Sequence, residues 1–324
     1  MRCNQKESNF LIENRPQLRT AVVAVFSFLF LVACASAPMQ HTELALADYQ
    51  PIELRDTPFF PQEDYQCGPA ALATILQVSG VDSADPDTLR EQIYIPDRQG
   101  SLQTELIAAS RRAERIPYVL EPQFSALLAE LYAGNPVLVL QNLALARWPQ
   151  WHYAVVVGFQ PDTQTIVLRS GINEREEMSL RAFERTWRLA DYWALVVAPN
   201  GLTPVTAKPL RYFAAVAAME QQQRWQAALA GYAAAEQRWP EDATSALGMG
   251  NIAYQQRNFS LAEEHYYRAS ELDPYEPAIF YNLAWALFRQ GKVEEARLSA
   301  ATAASLAPEH SVYGKAVGAL EQAQ

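Results

Sequence analysis

The apolar positions fall into four zones of different rhythm. Residues 21–33 form an unbroken apolar run with Arg15 and Arg19 ahead of it. Residues 34–57 mix polar and apolar positions without a period, which is the pattern of a tether. Residues 58–199 carry short segments of both helical and strand type. From residue 209 onward the apolar spacing is helical throughout, and residues 200–208, with Gly201, Pro204 and Lys208, separate the two regions as a linker.

Within the third zone, residues 68–79 are an Ala- and Leu-rich stretch of helical type. Asp85-Pro86 supplies an N-cap followed by proline and opens a short helix toward Ile93. Residues 101–114 predict another helix, with Leu102, Leu106, Ile107 and Ala109 on its apolar side, and residues 123–132 a third. Gly134-Asn135-Pro136 turns the chain into a continuous apolar strand at 137–140. Residues 153–159 and 165–168 then form a hairpin around Pro161-Asp162-Thr163. Residues 179–188 are helical and 192–198 a last strand. Helices first and an antiparallel sheet after them predict an α+β domain.

The all-helical zone repeats. Pro240, Pro274 and Pro308 are spaced by 34 residues, as are Ala228, Ala262 and Ala296, and Ala235, Ala269 and Ala303. Trp225, Phe259 and Val293 keep the same interval. Small residues let paired helices approach closely, and each proline ends the second helix of its pair. Gly250 and Ala284 hold a small position in the first helix of their units, where Val216 departs from the pattern. A period of 34 with these features resembles the tetratricopeptide repeat. It predicts an all-α tetratricopeptide-repeat domain of three units over 209–310, followed by a C-terminal helix or tail at 311–324. Such repeats imply a protein or peptide partner on a concave face, with Tyr212, Phe280, Tyr281 and Trp285 as candidate lining residues.

Length and charge narrow the function classes. The chain of 324 residues suggests about two domains. Its net charge of -10 is the wrong sign for a general nucleic-acid surface, which needs Lys and Arg to neutralise phosphates. No phosphate-binding glycine loop or dinucleotide fingerprint occurs, and one cysteine with one histidine in the α+β domain cannot close a zinc site. No cofactor and no metal are expected.

The apolar run at 21–33 is short for a spanning helix, which needs about 20 apolar residues, and fits a signal-peptide core. It ends in Leu31-Val32-Ala33-Cys34 and resembles a bacterial lipobox. The resemblance implies cleavage after residue 33 and acylation of Cys34, hence a membrane anchor. Ala35 stands where aspartate would imply inner-membrane retention, so the expected location is the outer membrane, facing the periplasm. Three cysteines are present. With Cys3 removed and Cys34 lipidated, Cys67 is the one remaining thiol, either buried and inert or reactive.

Cys67 sits in Gln62-Glu63-Asp64-Tyr65-Gln66-Cys67-Gly68-Pro69-Ala70, at a loop-to-helix junction. A helix N-terminus offers free N–H groups and a partial positive charge, and both favour a thiolate. Of the four histidines, His41, His152, His265 and His310, only His152 falls in the same domain, opening the strand His152-Tyr153-Ala154-Val155-Val156-Val157. A histidine at a strand end beside such a cysteine is a nucleophile-and-base arrangement. Trp148, Trp151 and Trp187 are expected in core and rim packing rather than in a recognition box. Together these segments resemble the C39-like branch of papain-fold cysteine peptidases over about residues 58–199, and the layout resembles bacterial C39-like lipoproteins with C-terminal tetratricopeptide repeats. The resemblance implies Cys67 as nucleophile, His152 as general base and acid, and Gln62, five residues ahead of Cys67, as oxyanion donor. The usual third member, an Asp or Asn at the end of the following strand, has no obvious counterpart. Ser170 and Asn173 are the candidates, while Asp162 lies in the distant hairpin turn.

Overall fold

A computed structural model of the chain describes residues 39–40, 46–62 and 66–322. The signal segment, Cys34 and residues 63–65 lie outside the described residues. The first helix, α1 (Cys67–Val78), is buried on every side from Gly68 to Leu76. That is why its sequence reads as a run of Ala and Leu rather than as an amphipathic stripe. Helix α2 (Pro86–Ile93) starts as its sequence predicts: the Asp85 side chain accepts from Thr88 N at 3.0 Å, with proline at the first position. Helices α3 (Gln103–Arg112), α4 (Phe124–Tyr132) and α5 (Leu180–Arg188) complete the helical part of the domain.

One sheet runs through the domain. Its strands are β1 (Ile52–Glu53), β2 (Pro117–Val119), β3 (Val137–Asn142), β4 (Trp151–Gln160), β5 (Thr165–Ser170), β6 (Asn173–Ser179) and β7 (Ala194–Val197). The spatial order is β2-β7-β3-β4-β5-β6, every pairing is antiparallel, and β1 adds to the far half of β4. Helix α1 and its neighbours cover one face, and α4 and α5 cover the other. Strands covered on both faces show continuous apolar runs, hence Val137 to Leu140 and Tyr153 to Val157. The short β2 and the charged β6, with the sequence Asn-Glu-Arg-Glu-Glu-Met-Ser, were not expected from the pattern, and the last strand starts at Ala194 rather than at residue 192.

The segment predicted as a tether up to residue 57 is instead built into the domain from residue 46 on. Ile52 and Glu53 pair with Phe159 and Gly158. A Cβ on Gly158 would stand 2.9 Å from the Ile52 carbonyl, so glycine is what admits this extra strand. Tyr49 stacks on Tyr132 with ring centres 5.9 Å apart. The buried Arg169 donates to the carbonyls of Arg55, Thr57 and Glu174 and so fastens the same segment to β5.

The repeats follow as helix pairs: α6 (Pro209–Gln221) with α7 (Trp225–Arg238), α8 (Thr244–Gln255) with α9 (Phe259–Leu272), and α10 (Pro277–Arg289) with α11 (Val293–Leu306), closed by α12 (Ser311–Gln322). All six alanines of the 34-residue registers are fully buried, as close helix approach requires. The first pair is not a separate body. Tyr212, Phe213, Val216 and Met219 share one apolar core with Ile116, Tyr118 and the sheet. The linker is strapped down as well. The buried Glu130 carboxyl accepts from Thr206 N at 2.7 Å, from Thr206 Oγ1 at 2.5 Å and from Asn135 Nδ2 at 2.7 Å.

Candidate active site

Three strand ends and one helix end meet at one edge of the sheet: the end of β3, the start of β4, the end of β5 and the start of α1. Cys67 is the first residue of α1 and is half-buried. The first four N–H groups of a helix have no intrahelical acceptor, so the amides of Cys67 and Gly68 point out of the helix end beside the thiol. Gly68 is required there, because a Cβ would stand 2.8 Å from Ser101 Oγ. Tyr153, the residue after His152, lies against this helix end, and its hydroxyl donates to the Ser101 carbonyl at 3.2 Å. The Ser101 hydroxyl itself is buried without a hydrogen-bond partner.

His152 lies at the start of β4, at the same edge of the sheet. Its Nε2 lies 2.9 Å from Ser170 Oγ, at the end of β5. With Nε2–H donating to that oxygen, Nδ1 keeps its lone pair and is the nitrogen available as a base. Of the two candidates for third member, the structure brings Ser170 to the imidazole. Asn173 is exposed and meets Ser170 only as its backbone partner across the β5–β6 turn. Asp162 lies in the turn at the other end of β4, about 30 Å along the strand from His152. Gln62 is brought to the same edge, since its backbone N–H donates to the Gly171 carbonyl at 3.0 Å, one residue beyond Ser170.

The electrostatics differ from the helix-terminus expectation. Burial pushes the Cys67 thiol above its ordinary range, and this outweighs the hydrogen bonds from the Tyr153, Gly68 and Cys67 amides that pull it down. Burial also lowers His152, against a smaller opposing pull from Glu176. Both shifts favour the neutral forms, thiol and imidazole, at neutral pH. No hydrogen bond joins Sγ to the His152 ring among the described residues.

The tryptophans divide. Trp187 is fully buried, as a packing role requires, but Trp148 and Trp151 are 67% and 52% exposed and lie outside any core. Among the described residues, no group of three or more His, Cys, Asp or Glu comes together as a metal site would need, and no helix is long and apolar enough to cross a membrane.

The repeats hold a concave surface, a groove of about 720 Å³. Tyr281 and Trp285 line it, as expected, together with Glu220, Asn251 and Arg289. Tyr212 does not: it is buried in the core shared with the sheet. Phe280 is not among the lining residues either. A polar chain crosses the floor. Tyr232 Oη donates to Glu220 Oε2 at 2.7 Å, and Asn251 Oδ1 accepts from Tyr266 Oη at 3.0 Å and from Asn282 Nδ2 at 2.9 Å.

Comparisons with known proteins agree with this division of the chain. Residues 54–194 match the model of the Peptidase_C39 like family, and residues 213–277 and 247–311 match a tetratricopeptide repeat model. The chain is similar to the crystal structure of a protein from Bacillus anthracis described as a C39-like peptidase, at 16% identity over 46% of this chain and 98% of that one, with a TM-score of 0.39. Its repeats are similar to the Yersinia enterocolitica type III secretion translocator chaperone SycD, at 21% identity over 35% of this chain and 80% of that one, TM-score 0.33. They are also similar to the second repeat domain of human RPAP3, solved with an HSP70 peptide, at 15% identity over 35% and 95% of the two chains, TM-score 0.33. No curated protein matches.

Proposed function

For a chain that joins a C39-like peptidase domain to tetratricopeptide repeats, we propose a thiol peptidase of the bacterial envelope, held to the membrane through Cys34, whose repeats recruit a protein or peptide partner. The observation that carries the catalytic part is the 2.9 Å contact between His152 Nε2 and Ser170, at the sheet edge where α1 begins with Cys67. Substrate binding excludes water from a pair that is neutral at rest. As Sγ attacks the scissile carbonyl, its proton passes to Nδ1. The oxyanion takes hydrogen bonds from the Cys67 amide at the helix end and from the Gln62 side chain. The imidazolium then returns its proton to the leaving amine, and a thioester remains on Cys67. His152 next activates water to hydrolyse that thioester and release the thiol. Ser170 fixes the tautomer in every step but contributes no charge.

The test compares wild type with Cys67→Ala and His152→Ala on a peptide library, with Cys67 alkylation by iodoacetamide as a second measure. Cleavage lost in both variants supports the reading. Equal products from wild type and Cys67→Ala refute it. The lipid anchor has its own test: the mature protein should carry an acylated N-terminal Cys34 by mass spectrometry, and an intact unmodified residue 34 would rule it out. An outer-membrane location facing the periplasm follows from Ala35 only through the lipoprotein resemblance, and membrane fractionation decides it.

A second reading has its own support. The thiol is raised by burial, its hydrogen bonds come from backbone amides, and the third member is a hydroxyl rather than an acid. Those features suit a cleft that holds a peptide without cutting it. Partner capture that is equal in wild type and Cys67→Ala, with no turnover in either, would favour this scaffold role.

A further inference from the structure

Among the described residues the α+β domain exposes few large apolar side chains, and six of these seven stand at the edge of the sheet that holds Cys67, His152 and Ser170. Trp151 directly precedes His152 and is 52% exposed. Ile172, 78% exposed, lies two residues past Ser170 in the β5–β6 turn. Leu102 follows Ser101, whose side chain touches Gly68. Leu143, Leu145 and Trp148 occupy the tip between β3 and β4, with Leu145 and Trp148 66% and 67% exposed. The seventh, Tyr132, lies elsewhere.

The tip is held in shape while its apolar groups face water. Leu145 and Trp148 form a β-bridge, and Leu143 N donates to the Gln150 carbonyl at 2.9 Å. Buried Asn142 accepts on Oδ1 from Ala144 N at 3.1 Å and from Gln150 N at 2.9 Å. Arg147 lies over the Trp148 ring at 5.3 Å and is the single charged residue of the tip, in a chain with a net charge of -10. None of the six belongs to a buried core cluster, so the fold does not require them. Exposed apolar groups collected in one place mark a binding surface.

We infer that this rim selects the substrate: the site takes extended peptides with large aliphatic or aromatic side chains close to the scissile bond. The inference rests on the peptidase reading of Cys67 and deepens it. The rim is continuous with the proposed base, since Trp151 directly precedes His152 and Ile172 lies two residues past its partner Ser170. An extended peptide advances about 3.3 Å per residue, so the residues within two or three positions of the bond are those that reach Trp151 and Ile172. Among the described residues, the charged group of the tip is the cation Arg147, which offers nothing to a lysine- or arginine-rich peptide.

The test uses the full chain as Cys67→Ala, which binds without cutting, titrated with two peptides of equal length and charge, one with Leu and Phe around the central bond and one with Ser and Asn there. Tryptophan emission reports binding. The apolar peptide should bind at least tenfold tighter, and both Trp151→Ser and Ile172→Ser in this background should cut that preference below threefold, with circular dichroism confirming the fold. Equal affinity for the two peptides overturns the inference, whether or not wild type proves catalytic. Selective binding without wild-type turnover keeps the rim and refutes the peptidase. If both rim variants keep the peptide preference but lose binding to phosphatidylethanolamine–phosphatidylglycerol vesicles, the rim is a membrane contact and the inference fails.

Discussion

Replacing Ser170 by aspartate is the sharpest probe of the site. The hydroxyl lies 2.9 Å from His152 Nε2 and is 6% exposed, so the contact is largely shielded from water. A neutral hydrogen bond of this kind contributes about 1 kcal/mol net, and one to a charged group about 1.5–3 kcal/mol. A carboxylate in place of the hydroxyl therefore favours the imidazolium by about 1–2 kcal/mol, less part of the cost of burying the new charge. Since about 1.4 kcal/mol is a factor of ten, the thiolate–imidazolium state should grow roughly tenfold. The assay is the rate of Cys67 alkylation by iodoacetamide against pH, followed by mass spectrometry. In wild type the rate should climb through a midpoint above the ordinary thiol value of about 8.5, because burial raises Cys67. In Ser170→Asp a reactive shoulder should appear near neutrality, with a rate about ten times that of wild type. Ser170→Ala, with the tautomer unlocked, should show no shoulder and lower turnover on any peptide that wild type cleaves. If all three alkylation profiles superimpose, Ser170 does not act on the thiol through His152 and the assignment is wrong.

Three further outcomes follow from the same structure. Burial holds His152 below its ordinary range, so its contribution to stability is present above about pH 6.5 and is lost as pH falls through the folded-state value; the melting temperature of wild type should drop more steeply from pH 7 to pH 5 than that of His152→Gln, and parallel curves would refute it. Glu130→Ala strands the Thr206 N–H, the Thr206 hydroxyl and the Asn135 amide and should cost about 3 kcal/mol at 1–3 kcal/mol per buried unsatisfied group, measured by urea unfolding; a loss under about 1 kcal/mol would show that water reaches the linker. Gly231→Ala drives a methyl into Ile116 and Val216 across the boundary between sheet and repeats, so overpacking of about 1–3 kcal/mol should outweigh the helix-propensity gain of about 1 kcal/mol; a stabilised variant would mean that the two regions do not share a core.

The parts of this protein legible in its sequence are those written in local or periodic terms. Asp85-Pro86 announces a cap, and the cap is made. The alanines at 34-residue spacing announce close helix packing, and all six are buried. The continuous apolar runs at Val137 and Tyr153 announce strands covered on both faces, and the sheet is covered on both faces. Cys67 and His152 could be paired by elimination, because no other histidine lies in the domain. What the sequence hid depends on partners far along the chain. Strand β1 exists because Gly158, more than a hundred residues away, leaves room for it. Strand β6 carries charges because it is an edge strand, where polar side chains blunt unwanted pairing, and that made it resemble a loop.

The choice between Ser170 and Asn173 shows the same limit at the scale of one site. Chemistry by type favours the asparagine, whose amide is the usual orienter of a catalytic imidazole. Strand geometry decides otherwise. Ser170 is the last residue of β5 and faces the start of β4, while Asn173 lies past the turn at Gly171, whose φ of +58° reverses the chain and carries position 173 to the outer strand. A carboxylate at Ser170 would hold the imidazolium by charge; a hydroxyl only holds the tautomer. With burial raising the thiol and lowering the imidazole, the peptidase proposed above lacks at rest the charge separation that lets a cysteine react with any passing electrophile. On that proposal the attacking state is assembled by a substrate that fits, and the inferred role of the exposed apolar rim is to judge that fit.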